Sequence, residues 1–175
     1  MTYQAALQTW HDFYLIIGQG AASLVGLLFV GLSLHIRLVL SRDDVRALAR
    51  VTLTNFILML VLALFMVIPD DNSADAGWRI VGLGAVSFLW VLPSLAAGVR
   101  SRRRTIDLRL LLLRFGSSAI AFLGLVICGV MMVSGNYHDG LVGLVAVAVV
   151  VLVVSLRNTW DLLVSVAAAG LHEPN

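Results

Sequence analysis

The chain contains no lysine: all 12 of its cationic side chains are arginine, in 175 residues. It has a single cysteine, Cys128, which excludes an intrachain disulfide. Charge of either sign is scarce, at 13% of residues, while 60% are hydrophobic and the mean hydropathy is +0.97. A soluble domain of this length needs far more polar surface, so a water-soluble globular fold is excluded. Catalytic signatures are missing too: there is no Gly-x-Ser-x-Gly, no His-Glu-x-x-His and no phosphate loop. Cys128 lies within an apolar run and reads as a small buried hydrophobe. No enzymatic activity and no cofactor are expected.

What the chain does have is five long apolar runs: Phe13 to Leu34, Val51 to Ile68, Ile80 to Val99, Leu110 to Val133 and Leu141 to Leu156. Most approach or exceed the roughly 20 residues that cross a bilayer as helix. Barrel strands would alternate over roughly 10 residues, and these runs do not alternate. The expectation is a single all-α integral membrane bundle of five transmembrane helices, over 11–38, 47–68, 78–99, 109–133 and 140–168. The first run is read as a span rather than a cleavable signal, because no basic residue precedes it and it is too long for a signal core.

The arginines fix an expected orientation. Arg37, Arg42, Arg46 and Arg50 fill the first gap, and Arg100, Arg102, Arg103, Arg104, Arg109 and Arg114 the third. By the positive-inside bias both gaps stay in the cytoplasm, which puts the N-terminus outside and the C-terminus inside. Asp70, Asp71, Asp75 and Asp139 occupy the other gaps, with Arg79 the one cation near them. Trp10, Tyr14, Trp78 and Tyr137 then fall at the outer boundary and Trp160 at the inner one. Trp90 lies mid-span beside Pro93, where a kink would free backbone carbonyls.

The first and last helices are predicted to outreach the bilayer. Trp10 to Leu40 contains no proline and spans roughly 45 Å at about 1.5 Å per residue; Leu141 to Ala169 is similar. Leu38, Leu40, Leu162, Leu163 and Val166 are the expected contacts beyond the membrane. Asp44-Val45-Arg46 and Asp107-Leu108-Arg109 open two helices in the same way, either from a duplicated hairpin or from ordinary capping and interfacial charge.

Three sets of residues are candidates for function. Gly18, Ala22 and Gly26 recur every four residues and let a second backbone approach; Ser117 with Ala121, and Gly124 with Cys128, form a similar strip. Such faces serve packing within the bundle or self-association. His35, Arg37, Arg50, Asn55, Arg114, Arg157, Asn158 and Asp161 come to similar depth near the inner boundary on four helices. They either line a positively charged aqueous mouth, with Asn55, Arg157 and Asp161 at its heart, or they are arginines snorkelling to lipid phosphate. Finally, His11-Asp12 and His138-Asp139 offer nitrogen and oxygen donors at the outer end, without a metal-site spacing. The basic run 100–104 is read as a topology determinant near anionic lipid, not a nucleic-acid site.

Trp10-His11-Asp12-Phe13-Tyr14, Gly18 to Ala22, Gly26-Leu27-Leu28-Phe29-Val30 and Ser33 resemble the opening of a family of small five-span bacterial membrane proteins of unknown function. Asn158-Thr159-Trp160-Asp161-Leu162-Leu163-Val164 is similar to that family's closing segment. Some members carry the label of modulator of the membrane-bound ATP-dependent metalloprotease, although that modulator has seven spans and this chain five. The resemblance implies a multi-pass protein of the bacterial cytoplasmic membrane and supplies no catalytic residues. The expected function is a homo-oligomeric bundle forming a pore with a basic cytoplasmic mouth. The alternatives are an accessory or regulatory subunit of a larger membrane complex, and a small-solute or lipid transporter with its site near Asn55, Pro93 and Arg157.

Overall fold

The computed structural model describes residues 3–34, 36–41, 43–68, 72–100 and 108–170; the side chains of 38, 43, 44, 94–100, 108–115 and 165–170 lie outside that description. The described residues form seven helices and no strand: α1 (Tyr3–Thr9), α2 (His11–Leu34), α3 (Ile36–Ser41), α4 (Asp43–Val67), α5 (Ser73–Arg100), α6 (Leu108–Val133) and α7 (Tyr137–Gly170). Five of them are long and apolar enough to cross a membrane: His11–Leu34, Val45–Val67, Ser73–Pro93, Gly116–Val133 and Tyr137–Val164. The chain is a multi-pass helical membrane protein. Helix is the form these runs must take, because hydrocarbon offers no partner to an unpaired N–H or C=O.

Two helix ends are fixed by local chemistry. Asn72 caps α5, its Oδ1 accepting from Ala74 N at 3.0 Å while its Nδ2 donates to Asp75 Oδ2 at 3.3 Å. At the end of α6, Asn136 N donates to Met131 O at 3.0 Å and Gly135 N to Met132 O at 3.2 Å, the paired bonds of a Schellman stop. Gly135 adopts φ +90°, which a side chain resists, so this glycine permits the reversal into α7.

The spans pack antiparallel to their chain neighbours. The most extensive contact joins α5 and α6. There Gly77 and Gly129 cross backbone to backbone: a Cβ on Gly77 would lie 2.7 Å from Gly129 O, and one on Gly129 2.8 Å from Gly77 O. Gly84 sits under Phe122 and Val126 farther along. On α7, Gly140 and Gly143 receive Met132 and Cys128, a Cβ on Gly143 falling 2.7 Å from the thiol sulfur. Helix α4 is central, touching α2, α5 and α7.

Buried positions recur at alternating steps of three and four, the spacing of a knobs-into-holes seam. On α4 the stripe runs Leu48, Thr52, Asn55, Met59, Leu62, Met66; on α7 it runs Leu141, Leu144, Ala148, Val151, Ser155, Asn158, Leu162. The apolar members fall into two clusters. The larger contains Met59, Leu62, Phe122, Leu125, Ala148 and Val151; the smaller contains Leu28, Val39, Val45, Leu48, Phe56 and Leu162.

The run expected to be helical from Trp10 to Leu40 is helical at the described positions 11–34 and 36–40, with the short α1 before it. His35 itself lies outside the described residues. Tyr14 is fully buried and packs with the larger cluster. Leu162 is buried as expected, whereas Leu40 and Leu163 stay exposed; the side chains of Leu38 and Val166 lie outside the description.

Candidate functional site

Five polar side chains are buried where the two apolar clusters meet. Thr52 and Asn55 on α4, Ser118 on α6, and Ser155 and Asn158 on α7 are each at most 2% exposed. Antiparallel register sets them at one depth. On α4 the polar pair lies between Leu48 and Met59, and on α7 between Leu162 and Val151; the two Leu belong to the smaller cluster, Met59 and Val151 to the larger. Asn55 Nδ2 donates to Ser118 Oγ at 3.0 Å and so ties α4 to α6. Thr52 Oγ1 donates to Leu48 O at 2.9 Å, and Ser155 Oγ to Val151 O at 2.7 Å, each within its own helix. Asn55 Oδ1 and Asn158 Nδ2, an acceptor and a donor, are buried without a hydrogen-bond partner. The layer carries no formal charge, so it suits neutral hydrogen-bonding groups and not bare ions.

None of the described charged residues expected with Asn55 enters its buried layer. Arg37, Arg50 and Arg157 are exposed and Asp161 is half-buried. His35 and the side chain of Arg114 fall outside the described residues. Neighbouring positions on a helix point about 100° apart, so Arg157 faces out while Asn158 faces in. A guanidinium reaches water or phosphate by snorkelling at far lower cost than by burial. Ser155 was missed by the sequence reading, although it falls on the same seam as Asn158 in steps of three and four.

The small-residue faces divide in a similar way. Gly124 and Cys128 serve the α6–α7 contact, where a Cβ on Gly124 would lie 3.0 Å from Val147 Cγ2. A Cβ on Gly18 would lie 2.9 Å from Ala63 Cβ of α4, but Ala22 and Gly26 are exposed, and nothing lies within 4 Å of a Cβ on Gly26. Helix α2 is the least covered span: 17% of its apolar stretch is buried against 50% for α4. Its outward side carries Gln19, Ser23, Gly26, Val30 and Ser33, all exposed, and Arg37 on α3 continues the spacing. Beside it, Tyr14, Gly18, Gln19, Ala22, Leu60 and Ala63 help line a largely apolar groove of about 320 Å³ between α2 and α4.

At the opposite end from Arg37 and Arg157, Gln4, Leu7, Gln8, His11, Asp12, Met66 and Val67 line an open cavity of about 570 Å³. His138 and Asp139 are exposed at the start of α7 and do not line it. Among the described residues no three of His, Cys, Asp and Glu are grouped to hold a metal. Comparison with known protein families, with curated proteins and with solved structures finds no match to this chain.

Proposed function

We propose that the protein is a non-enzymatic homo-oligomer of the bacterial cytoplasmic membrane in which α2 from each copy faces the assembly axis and together they enclose a pore. The observation that carries this reading is the outward stripe Gln19, Ser23, Gly26, Val30 and Ser33 on the least buried span. In a monomer this stripe would turn amide and hydroxyl groups toward lipid, where they find no partner beyond their own helix. Ser23 Oγ and Ser33 Oγ donate to the backbone carbonyls of Gln19 and Val30, which leaves hydroxyl lone pairs on the outer face. The positive-inside bias puts Arg37 at the cytoplasmic mouth, with the N-terminus outside and the C-terminus inside.

Native mass spectrometry of the detergent-purified chain tests the assembly, and a strictly monomeric species would refute it. In liposomes, Gln19→Leu should abolish solute flux while Trp90→Leu, on the exposed side of α5, leaves it unchanged. The groove between α2 and α4 favours a second reading, an accessory subunit whose partner presents an apolar helix. Oligomers without flux would support that one.

A further inference from the structure

We infer that the cavity at the α1–α2 end is a binding site for a zwitterionic phospholipid headgroup carrying a primary ammonium, as in phosphatidylethanolamine. Gln4, Gln8, His11 and Asp12 follow one another at helical spacing along α1 and the start of α2, forming a polar wall; Leu7, Met66 and Val67 form the apolar remainder. At about 570 Å³ the cavity falls within the range of small-molecule sites.

Its depth matches the place where headgroups lie. Trp10 lies within the stretch that forms the polar wall, between Gln8 and His11, and Tyr137, which meets Tyr3 of α1 edge to face at 5.9 Å, stands at the same end; exposed Trp78 shares it, one residue from the Gly77–Gly129 crossing. Interfacial aromatics of this kind mark the membrane boundary. The apolar side then meets the glycerol and first methylenes, while the polar wall meets the headgroup.

The charges select among headgroups. The Asp12 carboxylate accepts from an ammonium and repels a phosphate that brings no cation with it. Amide N–H groups of glutamine and the His11 ring can donate to phosphate oxygens. A quaternary choline has no N–H to give to Asp12, and a glycerol headgroup has no positive charge. A primary ammonium next to a phosphodiester satisfies both.

The test is native mass spectrometry of the full-length chain released from vesicles of equal phosphatidylethanolamine and phosphatidylglycerol. Phosphatidylethanolamine should be retained in roughly two- to fivefold excess, the range one exposed charge pair supplies. Asp12→Asn should bring that ratio to about one, and Trp78→Phe, at the same depth but outside the cavity, should leave it intact. Gln8→Leu provides a second disruption should Asp12→Asn fail to fold. Equal retention of both lipids by the unaltered chain, or a ratio unchanged by the Asp12 and Gln8 substitutions, would overturn the site. Soluble glycerophosphoethanolamine should not displace the lipid; displacement would assign the cavity to a free headgroup and overturn the lipid source.

Discussion

Asn55 and Asn158 are similar in burial and differ in what their amides do. Asn55 spends its Nδ2 on Ser118 of another helix, while Asn158 Nδ2 has no partner. Interhelical hydrogen bonds in membrane proteins contribute about 0.6 kcal/mol on average, and a buried unpaired donor costs about 1–3 kcal/mol. Replacing each by leucine, close in size and apolar, should therefore separate them. Asn55→Leu loses the Ser118 bond, about 0.6–1.7 kcal/mol, a loss reduced by removal of its own unpaired Oδ1, whereas Asn158→Leu, which breaks no such interhelical bond, should be neutral or stabilising. Denaturant titration in detergent measures both. An Asn158→Leu loss as large as that of Asn55→Leu would mean that the α7 amide is engaged in the layer.

At the scale of the helices, glycine position decides where backbones meet. Gly77 and Gly129 have each other's carbonyl oxygen under 3 Å from where a Cβ would stand, so neither side can give way by rotating a side chain. Gly77→Ala and Gly129→Ala should each cost about 1–3 kcal/mol through forced backbone shifts, read as a lowered unfolding midpoint. Gly26→Ala should leave the protomer as stable or slightly more so, since its Cβ would enter open space and alanine is the better helix former. The most regular small-residue motif in the sequence, Gly18, Ala22 and Gly26, thus packs closely inside the bundle at Gly18, while Ala22 and Gly26 stay exposed. The tightest crossing uses a single glycine from each of two helices, a pattern with no periodic signature along the chain.

For the whole molecule, the outward face of α2 separates folding from assembly. Gly26→Leu should preserve the helical circular dichroism and unfolding midpoint of the protomer while shifting the oligomer to monomer in native mass spectrometry. Retention of the oligomer would remove α2 from the interface. Orientation has its own test: in a Cys128→Ala background, Asn136→Cys in the α6–α7 turn should react with an impermeant maleimide from outside intact cells. Arg103→Cys should react only after permeabilisation.

The run lengths, the composition and the arginine gaps determined by themselves that the chain crosses a membrane as five helices, because a segment in hydrocarbon must satisfy its own backbone and only helix does so locally. They also marked Asn55 and Asn158 as residues of similar depth near one end. Which way each residue points was decided by tertiary structure. Lipid is as apolar as a leucine side chain, so in a membrane helix hydropathy does not distinguish the face toward protein from the face toward acyl chains. Only packing against α4, α6 and α7 turned Asn55, Ser118, Ser155 and Asn158 inward, left Arg50 and Arg157 outside, and exposed the Gln19 side of α2.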